Sequence, residues 1–158
     1  MKSPKNRKST KRKPSRKPSW AEFRHRFIDC TWFDRDRVKT FRAMREFWKR
    51  APAEVLRKLP AVSVVAPSGY LLGAVTSFGR GDRAFLYLAP QLEKASQAEA
   101  IWTVAHEFSH VALRHHAPYK GRLPSLSTLR AHARADEKAA DALATEWGFV
   151  RPKGPRRQ

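Results

Sequence analysis

The most constraining stretch of the chain is Ser96 to His116, "SQAEAIWTVAHEFSHVALRHH". Ile101, Ala105, Phe108 and Ala112 recur at helical spacing and form one apolar stripe, so the segment predicts an amphipathic helix laid against a core. Four of the six histidines fall between Val104 and His116. Within "HEFSH", His106 and His110 are four apart, which on a helix puts them on one face, one turn above the other.

Two neutral imidazoles so placed can reach one ion. Zinc takes His nitrogens at about 2.0–2.1 Å, and a catalytic zinc keeps three protein ligands and one open position. Glu107, offset by one residue, is turned away from the ligand direction and can act as general base toward a metal-activated water. HExxH also arises by chance in helices, so a third ligand has to be found. His116 stands six residues after His110, the metzincin spacing, but Leu113 occupies the place of the metzincin glycine. Without that glycine the helix is expected to continue and to carry His116 about 240° around the axis from His110. The only methionines are Met1 and Met44, so no Met-turn follows the motif.

A better third ligand lies in "ADEKAADALATEWGF", where Glu137 and Asp141 are again four apart on one helical face. Glu137 can give a carboxylate oxygen to zinc, and Asp141 can accept the remaining N–H of a ligand histidine and fix its tautomer. The alanines at 135, 139, 140, 142 and 144 allow the close helix approach that a short carboxylate needs. His132 and Asp136 on the same segment are alternative third ligands, without a carboxylate at the Asp141 spacing. Tyr119, in the loop between the two site helices, is a candidate O–H donor to a tetrahedral intermediate, although an ordinary loop tyrosine is the commoner case. His115 and His116 read first as cations favouring the C-terminal end of the helix dipole, with stabilisation of an oxyanion by one of them as the alternative, and His25 and Cys30 as core or surface residues.

The remaining pattern is helices, then strands, then two helices, an α+β order. "DRDRVKTFRAMREFWKRA" sets Val38, Phe41, Met44, Phe47 and Trp48 at helical spacing, and "PAEVLRKL" adds a Pro-started helical turn. "AVSVVAP", "YLLGAVTSF" and "RAFLYLAP" predict three short strands joined by tight turns, a small and mostly antiparallel sheet. "RAFLYLAP" is expected to be the edge that pairs with an extended substrate, with Phe85 or Leu86 presenting outward N–H groups. A final helix is predicted from about Leu129 to Trp147, stopped by Gly148.

"HEFSH" followed by "EKAAD" resembles the HExxH plus ExxxD arrangement of gluzincin metallopeptidases, and the short distance between the two resembles the compact ImmA/IrrE-like, or minigluzincin, family. The resemblance covers about Ala61 to Gly148, including the strands before the metal helix. It implies a zincin-like fold, Zn2+ held by His106, His110 and Glu137, Glu107 as base and acid, Asp141 in the outer shell, and endopeptidase activity on a protein or peptide. The long basic tail is not part of that family's core pattern.

Charge divides the chain. Residues 1–19 carry nine Lys/Arg and no acid, and residues 151–158 carry four more, so thirteen of the nineteen net charges sit at the two ends. The first segment has almost nothing to bury and reads as a disordered basic tail, residues 20–150 as one metallopeptidase domain, and 151–158 as a basic C-terminal tail. The tails predict nonspecific, salt-sensitive contact with nucleic acid. No apolar run approaches the roughly 20 residues of a membrane span, and a single cysteine excludes an intramolecular disulfide framework, so a cytoplasmic protein is expected. Two other functions fit the composition: a SprT-like, DNA-associated protease with His132 as third ligand, or a non-enzymatic basic nucleic-acid-binding protein.

Overall fold

The computed structural model describes residues 16–29, 37–65, 73–76, 84–115 and 125–153. Its spine is helix α4 (Gln97–Ala112), which starts where the Ser96 side chain accepts a hydrogen bond from the Glu99 N–H and satisfies a free donor of the first turn. The preceding helices are α1 (Trp20–Phe27), α2 (Val38–Arg50) and α3 (Ala53–Lys58). Helix α2 buries Thr40, Ala43, Met44 and Phe47, the spacing of one helical face. Phe41 and Trp48 are half-buried beside that face and Val38 is exposed, so the buried stripe is narrower than the periodicity predicts. Phe47 stacks on Phe108 of α4 with ring centroids 4.2 Å apart, and Phe23, Trp147 and Phe149 close around the pair. The core is therefore aromatic and sits on the side of α4 away from the histidines.

The sheet has four strands, β1 (Ile28–Asp29), β2 (Val62–Val65), β3 (Gly73–Thr76) and β4 (Ala84–Leu88), in the order β1-β2-β4-β3. Strand β3 is antiparallel to β4 as the sequence predicts, but β2 pairs with β4 in parallel, and β1 pairs with β2 in parallel. The expected three-stranded antiparallel sheet is thus replaced by a mixed one. Alternation of apolar residues identifies a strand and its buried face, not its neighbour. Ala84, Leu86 and Leu88 do alternate inward, with Phe85 and Tyr87 half-buried. Strand β4 is interior, flanked on both sides, so "RAFLYLAP" is not the free edge it was expected to be. The edge strands among the described residues are β1 and β3, and β3 is the one beside β4.

Helix α5 (Leu126–Glu146) begins three residues before the predicted start, where Ser125 accepts from the Thr128 N–H. It ends at Gly148, whose φ of +84° suits the left-handed position that closes a helix, with the Phe149 N–H returning to the Ala144 carbonyl. Residues 16–19, assigned to the basic tail by composition, are docked: Lys17 Nζ donates to the Lys49 and Ala51 carbonyls, Trp48 Nε1 donates to the Pro18 carbonyl, and Ser19 caps α1. The rest of that tail, Cys30, and the last residues of the C-terminal tail lie outside the described residues. Among the described residues no helix is long and apolar enough to cross a membrane.

Candidate metal centre

Helix α5 crosses the polar face of α4 and brings Glu137 over His106 and His110. The two imidazole Nε2 atoms are 3.1 Å apart, Glu137 Oε2 is 3.2 Å from the first, and Glu137 Oε1 is 3.4 Å from the second. All the ligand atoms of this group lie within 4.8 Å of one another. His106 and His110 are nearly covered, and Glu137, with 63% of its side chain exposed, leaves the group open toward solvent.

The donor set tests whether a cation fits. Two Nε2 atoms and two carboxylate oxygens converge; with the ring protons on Nδ1 they offer four acceptors to one cation, and without an ion a proton on one Nε2 bridges the imidazole pair. Two imidazoles plus a carboxylate form a donor set that suits zinc. His110 is held neutral because burial, and then the neighbouring His106, lower its pKa to about 4.

The outer nitrogens are held as well. Asp141 Oδ1 stands 2.9 Å from His106 Nδ1, although off the line of the ring N–H, so this buried nitrogen has a close acceptor without an aligned hydrogen bond. The other oxygen of Asp141 pairs with Arg151 at 3.1 Å. His110 Nδ1 is 2.8 Å from His115 Nδ1, and His115 Nε2 is 3.5 Å from Asp136 Oδ1.

Glu107 lies beneath the sheet edge and is only 6% exposed. A Cβ built on Gly73 of β3 would stand 2.6 Å from Glu107 Oε1 and 2.7 Å from its Cγ, so only glycine allows strand and carboxylate to lie this close. Burial, and then the charge of Glu137, push the Glu107 carboxyl up to about 8.

His106, His110, Glu137 and Asp141 thus come together, and Glu107 lies against Gly73 of β3 within reach of the Glu137 charge. His132, the alternative third ligand, is exposed on α5 and not in the convergent group; Asp136 faces His115 and not the ligand atoms. The ring of His115, read as a helix-end cation, turns back onto His110. That turn arises because α4 ends at Ala112, contrary to the expectation that a chain without glycine would continue as helix. Arg114 takes the left-handed position at φ +61°, and the His115 N–H returns to the His110 carbonyl at 3.0 Å. His116 and Tyr119 lie outside the described residues. Sequence reasoning missed Gly73 and Arg151 as neighbours of the site, and gave His115 a role at the helix end or toward an oxyanion and not beside His110. Only Gly73 carried a signal, as a glycine inside a strand pattern. Comparison of the chain with protein-family models, with curated proteins and with solved structures finds no match.

Proposed function

We propose that the chain is a zinc-dependent endopeptidase with a gluzincin-like site and a zincin-like arrangement of sheet and helices. The observation that carries this reading is the convergence of His106, His110 and Glu137 beside a buried carboxyl, Glu107, placed under β3, an edge strand among the described residues. Zinc held there would supply Lewis acidity toward water and a peptide carbonyl.

The residues of the chain supply the rest. Glu107 takes the proton of the attacking water on its carboxylate and returns it to the leaving amine, a task that needs a carboxyl able to exist in both forms near neutral pH. Burial and the Glu137 charge raise its pKa to about 8. Neutralising Glu137 with a cation removes the second of these causes and brings the group toward the working range. A peptide added along β3 would pair with the Gly73–Thr76 backbone and pass over Glu107, which favours extended or unfolded substrate segments. The nine Lys/Arg of residues 1–19 and the four of residues 151–158 add salt-sensitive attraction to polyanions such as nucleic acid. The SprT-like alternative is less well supported, because its third ligand, His132, is not in the convergent group.

Metal analysis of the wild type and Glu107→Gln, beside a peptide-cleavage assay, tests the reading. Both proteins should carry about one zinc per chain, and only the wild type should cleave, with the variant slower by at least the roughly 10²- to 10⁴-fold typical of a lost general base. A wild type without stoichiometric metal, or equal cleavage by both, removes the proposal.

A further inference from the structure

His115 and Asp136 lie outside the ligand set and outside the general-base role, yet they form a chain that ends on a ligand. His110 Nδ1 faces His115 Nδ1 at 2.8 Å, and His115 Nε2 faces Asp136 Oδ1 at 3.5 Å. Two nitrogens at that separation share one proton, so one ring donates and the other accepts. If His115 carried its proton on Nδ1, His110 would have to accept there, and its own proton would sit on Nε2, among Glu137 and the other ligand atoms. If His115 carries its proton on Nε2, toward the Asp136 carboxylate, its Nδ1 accepts from His110 Nδ1–H and the His110 Nε2 lone pair is free.

Backbone geometry holds this pairing. Arg114 at φ +61° turns the chain, the Arg114 N–H donates to the Val111 carbonyl, and the His115 N–H donates to the His110 carbonyl. These two bonds are the pair that closes a helix with a left-handed residue, and they bring the residue after the turn back over the helix end. His115 is thereby fixed beside His110 by the way α4 ends, while Asp136 comes from α5, one residue before the ligand Glu137.

We infer that His115, oriented by Asp136, is a positioning residue that fixes His110 as the Nδ1–H tautomer and so presents its Nε2 to the metal. The inference rests on the zinc reading above, but it also makes a statement about the metal-free protein. His106 and His110 are then held by unlike partners: a carboxylate backed by Arg151 for the first, and an imidazole backed by a carboxylate for the second. Outer-shell partners of this kind change metal affinity by about 10- to 100-fold when lost.

The test combines zinc affinity by chelator competition with nitrogen-15 imidazole spectra of the metal-free full-length chain. His115→Ala should weaken zinc by about 10- to 100-fold. His115→Gln, whose amide oxygen can accept from His110 Nδ1–H, should recover most of that loss. Asp136→Ala should weaken zinc in the same direction, and Glu137→Gln, which alters a ligand, should weaken it more than any of them. The metal-free wild-type spectrum should show His110 protonated on Nδ1 and His115 on Nε2. Wild-type affinity in His115→Ala together with a weakened Glu137→Gln would leave the zinc site standing and overturn the role of His115. A His110 protonated on Nε2 in the metal-free wild type would overturn it as well. A wild type that binds no zinc defeats the peptidase reading instead, and the spectrum still decides the histidine pair.

Discussion

At the scale of single residues, two titrating groups pull the stability of the metal-free protein in opposite directions. Glu107 has a folded-state pKa of about 8 against an ordinary 4.5, so the folded protein keeps a proton that the unfolded chain releases. Its contribution is complete below pH 4.5 and is lost as the pH rises toward 8. His110 has a folded-state pKa of about 4 against an ordinary 6.5, so its contribution is complete above pH 6.5 and is lost as the pH falls toward 4. The two slopes oppose each other between 4.5 and 6.5, and above 6.5 only that of Glu107 remains. Metal-free wild type should therefore lose thermal stability from pH 6.5 to 8 relative to Glu107→Gln, which has the shape of the neutral acid. At pH 8 the variant should melt several degrees higher, given about 2–4 °C per kcal/mol for a chain of this size. Parallel melting curves across that window would show that Glu107 is not the buried acid described. The pairs His106/His110 and Glu137/Asp141 were legible because helical spacing brings residues four apart onto one face. The protonation of Glu107 and His110 was not legible, since it depends on burial and on the approach of α5.

At the scale of elements, the sheet edge and the helix ends decide what the site can do. Gly73→Ala forces a methyl group into the Glu107 carboxylate, at distances below 3.0 Å from its Oε1, Cγ and Cδ, so either the strand or the Glu107 side chain must move. The expected result is cleavage reduced by at least about tenfold with zinc content unchanged, since a displacement near 1 Å can cost about 10²-fold. Full activity in a zinc-loaded Gly73→Ala protein would mean that the base does not need its place beneath the strand. Strand positions were legible from alternation, and strand order was not. The parallel pairing of β2 with β4 depends on where the chain between them crosses, and two short apolar runs do not encode that. The end of α4 was hidden for a different reason. An arginine occupies the left-handed position that glycine usually marks, so the sequence offered no stop signal before His115.

At the scale of the whole molecule, α4 serves two regions with opposite faces. One side carries Phe108 into the aromatic core, and the other carries the histidines. Phe47→Ala removes the ring stacked on Phe108 and should cost about 3–5 kcal/mol, a large share of the roughly 5–15 kcal/mol that holds a typical domain together. Because an ion that binds only the folded state stabilises it in proportion to the logarithm of its free concentration, added zinc should raise the melting temperature of Phe47→Ala stepwise. A melting temperature indifferent to zinc would separate the site from the fold. The α+β class was legible from the order of elements, and the aromatic cluster only in part. Phe47 was marked by periodicity, but its partners Phe23 and Phe149 lie far away in sequence, and no local pattern joins them.

No residue of α5 from Leu126 to Ala139 is buried, and the buried side chains of that helix are Ala140 and Ala144, near its far end. Glu137 and Asp136 stand on the exposed side of this boundary, while both histidines stand on the firmly packed α4. The centre is therefore built as a clasp and not as a vault: one jaw is anchored in the core, and the other is the loosely supported half of a helix. Were an ion held there, fraying of the first turns of α5 would be enough to admit or release it, without opening of the aromatic core.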